Sequence, residues 1–520
     1  MKYSKNIISK IIDLISPKDK WNLYKVIFIL TVASIIEVAV VTLITSFISS
    51  IGSPGILEDN IFLNQQFKLN LSIEEYIFFL IFILVISTIF SLYALKLSLR
   101  YSAILGMKIG DDLLNLYTRM SLARYQLNNV PDLSKRVTVE AQRVADGIVI
   151  PIIQLFSKSS LSLLMLSVLF LYNPFITSVL IVIFFIFYAV NYLLKKDILS
   201  INSIDISKLL TKRFEIVALY LNNFEYYKVN KGSNLEAFKK AGYSFALKKS
   251  QNLFLGQSPK LILEFIIFTL LLTSVVVMAG QGKFISDIAF YGMISFKLLP
   301  AMQQVYLRVT QIRGHIGSLN AIYKDFFINI KDKKIIEPKT SIELANLKKY
   351  NKNFNKIRIA VSKKYLLKGK SGAGKSTILK IIMGLIEPDD GSVYIDEKPS
   401  NDYLLDCSYL PQKLNFGDIY IKDFFNSYDE NYVIEMFKKY NLAYHDSPIN
   451  TYSGGEQQRI ALIKTILLKK KFIILDESSS ALDKKNEESF LEYFTNLNIT
   501  LIVISHRDGI DQYFDEVINL

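Results

Sequence analysis

The sequence is poor in residues that cross-link chains or ligate metals. Cys407 is the single cysteine among 520 residues, and the chain has 3 histidines. A lone cysteine excludes an internal disulfide, and it also excludes a cysteine-rich zinc site. We therefore expect Cys407 to be a packing residue.

Charged residues are also scarce, at 21% of the chain, whereas 51% of the residues are hydrophobic and 13% are aromatic. This balance is typical of a protein that exposes much of its surface to lipid, and it argues against a soluble enzyme. A chain of 520 residues exceeds the size of one comfortable hydrophobic core, so at least two domains are expected.

Long apolar runs occur only before residue 310. Six of them are long enough to cross a hydrocarbon core of roughly 30 Å, which takes about 20 helical residues. We place these spans at 24–50, 76–99, 148–172, 175–194, 261–278 and 284–306. After the polar stretch 331–339, short apolar runs alternate with helical patterns, which indicates an α/β domain. The sequence predicts an all-α six-helix transmembrane domain at 1–335 and an α/β domain at 340–520.

The net charge of +14 is compatible with nucleic acid, an anionic membrane surface or an acidic cargo. Its distribution favours the membrane, because segment 195–250 is rich in Lys and Arg whereas the 51–75 loop holds only Lys68. Basic loops stay in the cytoplasm, so both termini are predicted to be cytoplasmic, and no nucleic-acid partner is expected. Residues 1–23 are predicted to form an interfacial amphipathic helix rather than a cleaved signal peptide. The basic segments 100–147 and 195–255 predict helices that continue beyond the bilayer.

The segment GKSGAGKST at 369–377 follows a short apolar run and precedes a helical pattern. Glycines let backbone N–H groups turn towards phosphate oxygens, and the positive end of the following helix adds to the attraction. The Lys375 side chain is placed to reach the β and γ phosphates, and the Ser376 hydroxyl to bind Mg²⁺. The predicted phosphate-binding residues are Gly369, Ser371, Gly372, Gly374, Lys375, Ser376 and Thr377.

Two carboxylates end the apolar run 472–475. Asp476 is predicted to hold Mg²⁺ and to belong to the nucleotide site, and Glu477 to act as the general base on the attacking water. Acids at strand ends are common by themselves, so this prediction depends on the phosphate-binding segment.

The stretch YSGGEQQR at 452–459 lies between these two motifs. With it the chain resembles the ATP-binding-cassette (ABC) transporter family, whose signature is an SGG turn before a helix. Ser453, Gly454 and Gly455 match that turn. The resemblance implies that the turn completes the nucleotide site of a second copy, so that two ATP molecules lie between two cassettes.

Other positions match the family in the expected order. Gln412 matches the glutamine that contacts Mg²⁺, so the implied metal ligands are Ser376, Gln412 and Asp476. His506 matches the switch histidine that contacts the γ-phosphate, and 481–483 matches the loop that follows the catalytic acid. The implied catalytic residues are Glu477, His506 and Gln412. Tyr350 is the candidate for stacking on adenine, although an ordinary edge tyrosine is an equal alternative.

Spans, long cytoplasmic loops and a cassette on one chain resemble the exporter type of this family. The resemblance implies a half-transporter in a bacterial inner membrane, with the ATPase domain in the cytoplasm. It also implies a homodimer and alternating access driven by ATP. A soluble cassette ATPase acting on ribosomes or DNA does not account for the spans, whereas an ATP-gated channel remains an alternative.

Charged residues inside predicted spans are candidates for the cargo path, because burying charge in lipid is costly. They are Glu37, Lys96, Glu264 and Lys297. Lys297, Arg308 and Arg313 follow one helix and suit a phosphate or pyrophosphate head, unless Lys297 pairs with a carboxylate such as Glu37. Segments 128–144, 258–264 and 295–305 weakly resemble transporters of lipid-linked oligosaccharides. We therefore expect a lipid-linked glycan as cargo, with export of a peptide, lipid or drug as the alternative.

Overall fold

The computed structural model has two compact units, and the chain passes between them more than once. One unit comprises Met1–Arg119 and Leu127–Asn329, and the other Met120–Gln126 and Ile330–Leu520. The structure describes residues 7–51, 73–172, 174–230, 235–278, 284–328, 333–350, 352–400, 402–412, 414–477, 484–507 and 509–520.

The chain is helical from residue 7 to residue 326, apart from short breaks and the segments outside the described ranges. The helices are α1 (Ile7–Leu14), α2 (Pro17–Ile51), α3 (Ile73–Thr118), α4 (Leu122–Gln126), α5 (Val130–Lys135), α6 (Ala141–Val144), α7 (Ile150–Tyr172), α8 (Pro174–Asn222), α9 (Phe224–Asn230), α10 (Leu235–Met278), α11 (Phe284–Gly314) and α12 (Ile316–Phe326). Two π-helical segments, Arg136–Glu140 and Ala145–Val149, connect α5, α6 and α7, so that these elements form one continuous helix.

The longest helices exceed the thickness of a bilayer. Helix α8 has 49 residues, α3 has 46 and α10 has 44. At 1.5 Å per residue they are about 65 to 75 Å long, roughly twice what a span requires. These lengths agree with the predicted extension of helices beyond the membrane, but the first basic segment is not one helix. It breaks between Thr118 and Val130, where Pro131 lies in the first turn of α5 and lacks a backbone N–H.

Four helical stretches of the described residues are long and apolar enough to cross a membrane: Pro17–Thr45, Glu74–Thr118, Val130–Tyr172 and Thr177–Asn222. Large apolar side chains such as Phe78 and Phe185 are more than 70% exposed on these helices. An aqueous protein rarely exposes so much apolar surface, whereas lipid solvates it. The fifth and sixth predicted spans fall on α10 and α11, where many side chains lie outside the description, so the count of six stays a prediction.

Helix α1 packs against α12 instead of lying alone. Its buried Ile11 and Leu14 join an apolar cluster with Leu319 and Ile322 of α12. The Lys10 ammonium donates to the Asn320 side-chain oxygen at 2.9 Å. The predicted amphipathic helix therefore has a protein partner on its apolar face.

Helix α11 ends earlier than the sequence pattern suggests. The helical periodicity after the sixth span predicts one helix to about residue 330, but α11 stops at Gly314 and α12 starts at Ile316. His315 separates them with φ −119° and ψ 6°, outside helical geometry. The amphipathic pattern continues across the break because both helices bury apolar side chains, so periodicity did not reveal it.

The second unit contains the strands of the chain. They are β1 (Lys334–Ile336), β2 (Ser341–Lys349), β3 (Lys352–Phe354), β4 (Ile357–Ala360), β5 (Lys364–Lys368), β6 (Asp390–Ile395), β7 (Lys398–Pro399), β8 (Tyr403–Leu405), β9 (Ser408–Leu410), β10 (Phe472–Asp476), β11 (Thr500–Ile504) and β12 (Glu516–Asn519). The helices of this part are α13 (Lys375–Ile382), α14 (Ile421–Phe424), α15 (Glu430–Lys439), α16 (Gly454–Leu467) and α17 (Lys484–Thr495).

A parallel sheet forms the centre of this unit, with strand order β12-β5-β11-β10-β9. Every residue of β10 and β11 is buried, as expected for parallel strands covered on both faces. A second sheet, antiparallel, has the order β3-β2-β6-β7 with β4 also paired to β2. The confirmed fold class is a helical transmembrane domain followed by an α/β domain.

Two apolar cores lie on either side of the parallel sheet. One packs α13 between the two sheets, and Leu122 of α4 contacts it. The other packs α15, α16 and α17 against the opposite face of β10 and β11. Cys407 packs against the first core, and burial raises the pKa of its thiol to about 12. This agrees with its expected role as a packing residue.

Gly317 is a close-packed point of the helical unit. Its N–H donates to the Ser203 hydroxyl of α8 at 2.8 Å. A Cβ at this position would lie 2.3 Å from the Ser203 carbonyl oxygen. We predict that Gly317→Ala lowers the free energy of unfolding by about 1 to 3 kcal/mol, because backbone must move to relieve the clash.

The matched control is Gly242→Ala, also helical, whose Cβ would meet nothing closer than Arg213 Nε at 3.9 Å. Calorimetric unfolding of the purified full chain measures both variants. Equal transition temperatures for the two would contradict the proposed close packing.

Candidate functional site

The predicted phosphate-binding, metal-binding and catalytic residues lie at the carboxyl ends of neighbouring parallel strands. Strand β5 leads into Gly369, β10 ends at Asp476, β11 leads to His506 and β9 to Gln412. Because β5, β11, β10 and β9 are adjacent and parallel, their carboxyl ends share one edge of the sheet. Ligands of open α/β sheets bind at this edge.

The loop between β5 and α13 has the backbone of an anion cradle. Gly372 and Gly374 have φ of +79° and +106°, a region that favours glycine. A Cβ on Gly374 would lie 2.8 Å from the Phe354 ring, so a side chain is also excluded by packing. The buried Lys375 ammonium donates to the Gly369 carbonyl oxygen at 2.8 Å and lies 3.2 Å from His506 Nε2.

Asp476 faces this loop from the end of β10. The Ser376 hydroxyl donates to Asp476 Oδ1 at 3.1 Å, and the Tyr409 hydroxyl donates to Oδ2 at 3.3 Å. Burial raises the pKa of the Asp476 carboxyl, and the two hydroxyl donors oppose part of that shift. A buried carboxylate beside a hydroxyl oxygen is the hard oxygen donor set that Mg²⁺ prefers.

Glu477 is held between two predicted partners. Gln412 Nε2 donates to Glu477 Oε2 at 2.6 Å, and His506 Nε2 lies 3.1 Å from Oε1. Glu477 has φ +49°, an uncommon backbone conformation for glutamate that costs energy. The Glu477 N–H bonds to the Ile504 carbonyl oxygen at 3.1 Å, which fixes this conformation against the neighbouring strand.

The SGG turn begins α16 with a complete capping box. The Ser453 hydroxyl and N–H both donate to Glu456 Oε2, at 2.7 and 2.8 Å. These bonds hold the pKa of Glu456 below its ordinary value. No hydrogen bond in the described ranges joins Ser453, Gly454 or Gly455 to the loop at 369–374. The turn is preformed, and it is not part of the same chain's phosphate-binding loop.

Two further predictions are not decided by the geometry. Tyr350 lies in the turn after β2 with 60% of its surface exposed, and the Lys349 ammonium sits over its ring at 5.2 Å. It is accessible, but the structure gives no contact between it and the loop at 369–374. Segment 481–483 lies outside the described residues.

The charges predicted for the spans divide into different environments. Lys297 donates to Glu37 Oε1 at 2.7 Å, which is the pairing alternative raised from the sequence. Arg313 donates to the Tyr192 hydroxyl at 2.9 Å, and Lys96 lies on an exposed face of α3. Of the two alternatives left open for Lys297, the structure therefore favours the ion pair with Glu37.

Two residues near the sheet edge were missed. Tyr409 belongs to no motif that predicts a function. It lies in β9, three residues before Gln412, and therefore near the same edge of the parallel sheet. Arg507 Nη1 lies 2.6 Å from Glu487 Oε2, and Glu487 is 2% exposed. This pair links the residue after His506 to the first turn of α17, and only the fold brings the two positions together.

Comparison with protein families gives two matches. Residues 7–224 match the model of the ABC transporter transmembrane region, and residues 355–480 match that of the ABC transporter. The chain is 32% identical over 185 residues to a zinc import ATP-binding protein, ZnuC, of Rickettsia bellii, covering 32% of this chain and 77% of that protein.

Other matches extend over nearly the whole chain. A putative export ATP-binding/permease protein of Rickettsia prowazekii, RP696, is 24% identical and covers 93% of this chain and 90% of that protein. The solved structure of a bacterial Atm1-family ABC exporter with ATP bound has a TM-score of 0.73 at 15% identity, covering 94% of this chain and 93% of that one. With two other relatives the match covers less than two thirds of the relative's length, 26% for one and 60% for the other.

The Glu487 and Arg507 pair predicts a stability effect. Glu487→Ala leaves the guanidinium without its carboxylate, and we expect a loss of about 2 kcal/mol in the free energy of unfolding. Glu492→Ala, exposed on the same helix, is the control and should change little. Calorimetry of the full chain tests this, and equal transition temperatures for the two variants would rule out a stabilising pair.

Proposed function

The chain belongs to the ABC transporter family, and we propose that it exports a substrate across a membrane with energy from ATP hydrolysis. The observation that carries this proposal is the meeting of Lys375, Asp476, Glu477 and His506 at one edge of the parallel sheet. A phosphate cradle, a metal-binding acid and a base are the parts that phosphoryl transfer to water requires.

The residues of this edge fit a magnesium nucleotide. The N-terminus of α13 and the glycine-rich loop favour phosphate, and a Cβ at Gly372 would meet nothing within 4 Å, which leaves room beside the loop. Ser376 and Asp476 offer oxygen ligands 3.1 Å apart. The side-chain N–H of Gln412 donates to Glu477, which leaves the amide oxygen of Gln412 available to bind the metal. Bound Mg²⁺ would neutralise charge on the phosphates.

Each side chain then has a distinct task. Lys375 binds the β and γ phosphates, with Gly369, Ser371, Gly372, Gly374 and Thr377 completing the loop. Glu477 orients the attacking water and accepts its proton, and Gln412 and His506 hold its carboxylate in place. His506 lies 3.2 Å from the Lys375 ammonium, and both side chains are proposed to contact the γ-phosphate. Tyr350 is proposed to stack on adenine.

A second copy of the chain is proposed to complete the site. The capped N-terminus of α16 presents Ser453, Gly454 and Gly455 outside their own phosphate-binding loop, and such a helix end attracts phosphate. Since one chain carries both halves of the site intact, a homodimer is sufficient. The proposed location is a bacterial inner membrane, with the cassette in the cytoplasm.

The proposed substrate is a lipid-linked glycan, with a peptide, lipid or drug as the alternative. The helical unit contains a cavity of about 1230 Å³ whose surface is mainly apolar, although about half of its lining residues are polar or charged. A cavity of this composition suits an amphiphile better than a fully hydrophilic peptide.

We predict that Glu477→Gln keeps ATP binding but lowers ATP turnover at least a hundredfold, because the amide cannot accept the proton from water. Phosphate release by purified protein in nanodiscs measures turnover, and a fluorescent ATP analogue measures binding. Glu435→Gln, exposed on α15, is the control and should keep full turnover. Normal hydrolysis by the Glu477 variant would refute the assigned base.

We predict that Lys375→Ala weakens nucleotide binding itself, by about tenfold or more, because charged hydrogen bonds to phosphate are lost. Titration with the fluorescent analogue gives the Kd. Lys438→Ala, exposed on α15, should leave the Kd unchanged. An unaltered Kd in the Lys375 variant would exclude its contact with phosphate.

A further inference from the structure

The cavity in the helical unit has an unequal balance of charge. Its lining includes the acidic residues Glu37 and Glu264 and the basic residues Lys158, Lys297 and Arg308. Whether it attracts anions or cations depends on which of these charges are already neutralised by neighbours, because paired charges exert little net field.

Both carboxylates have cationic partners. Glu37 Oε1 lies 2.7 Å from the Lys297 ammonium, across the gap between α2 and α11. Glu264 Oε1 lies 3.7 Å from the Lys260 ammonium and accepts from Gln303 Nε2 at 3.4 Å. A cationic substrate would therefore find no unpaired carboxylate among these lining residues.

Arg308 is different, because its partners are neutral. Its Nη1 donates to Gln311 Oε1 at 2.7 Å and its Nη2 to Gln304 Oε1 at 2.8 Å. Its Nε is buried and has no hydrogen-bond partner within the described residues. The amides orient the guanidinium without neutralising it, so one positive charge and one buried donor remain unsatisfied.

Lys158 is the second such cation. It lines the cavity from α7 and forms no ion pair with any residue in the described ranges. The adjacent Ser157 hydroxyl lies 3.0 Å from that of Ser34 on α2, which places Lys158 beside the contact of these two helices. Lys158 was not among the charges singled out from the sequence.

The spacing along α11 separates a neutral part of the cavity from a positive part. Lys297, Gln304 and Arg308 are spaced by seven and four residues, so they lie on one face of the helix, and all three line the cavity. Eleven residues at 1.5 Å each place Arg308 about 16 Å along the helix from the neutralised Lys297. The cavity lining also includes apolar side chains, among them Val41, Leu84 and Leu161.

We propose that this cavity binds an amphiphile by its anionic head, with Arg308 and Lys158 as the head-group contacts. The apolar part of the ligand lies along the uncharged lining. The site rests on the proposed export function and narrows its substrate to the anionic class, such as a phosphate or pyrophosphate lipid. A half-buried guanidinium without a counter-ion is costly beside apolar surface, and an anionic ligand offsets that cost.

The test compares two ligands that differ only in the head. Purified full-length protein in phosphatidylcholine nanodiscs is titrated with a polyprenyl phosphate and with the polyprenol of the same chain length. We expect the phosphate to bind at least tenfold more tightly and to stimulate ATP hydrolysis. Equal affinities for the two lipids would overturn the proposal.

Variants assign the effect to the residues. Arg308→Gln and Lys158→Gln should each reduce the preference for the phosphate severalfold, and Arg308→Lys should restore part of it. Arg100→Gln removes the same charge from an exposed position of α3 outside the cavity lining, so it should keep the full preference. An unchanged preference in Arg308→Gln would also overturn the proposal.

The two proposals fail in different ways. Lipid binding is measured without nucleotide, so a phosphate preference in a protein that never hydrolyses ATP contradicts the proposed function and supports the site. Hydrolysis of ATP with no preference for the phosphate lipid leaves the proposed function standing and overturns the site.

Discussion

The edge of the parallel sheet is organised around the carboxylate of Glu477, which Gln412 and His506 contact from two sides. Gln412 follows β9 and His506 follows β11, and these strands flank β10, which ends immediately before Glu477. The two contacts are short only because the three strands are parallel and in register, so that their carboxyl ends meet. The positive φ of Glu477 is part of the same constraint, since it turns the side chain back between its neighbours.

The same principle of fixed neighbours applies to the phosphate-binding loop. Gly374 packs against the Phe354 ring, which belongs to the antiparallel sheet, and α13 is buried between the two sheets. The loop conformation is therefore set by the core beneath it. The Lys375 ammonium and the Asp476 carboxyl, whose pKa is raised by burial, both lie beside this loop. Partly burying such groups lowers stability, as is common in sites that bind charged ligands.

The helical unit shows a different treatment of charge. Near the middle of α11, Lys297 and Glu37 neutralise each other and join two helices. Farther along the helix, Arg308 receives only neutral amide oxygens. A paired charge holds helices together, whereas a charge without a counter-ion is free to bind a ligand. The same cavity contains both kinds of charge. A half-buried cation without a carboxylate partner is costly, which is the basis of the ligand-binding role proposed for Arg308.

The sequence alone determined the fold class and the order of the domains, and it predicted the members of a nucleotide site. Local spacing carries that information: a glycine-rich turn, an apolar strand ending in two acids and an SGG turn each require specific residues within a few positions. Tertiary structure decided which charges meet. Glu37 and Lys297 are 260 residues apart in the sequence. Glu487 of α17 pairs with Arg507, which follows β11. No periodic pattern encodes such pairs, because they form only when helices and strands pack. For the same reason the break at His315, and the lack of an ion pair at Lys158 and Arg308 among the described residues, were visible only in the folded chain.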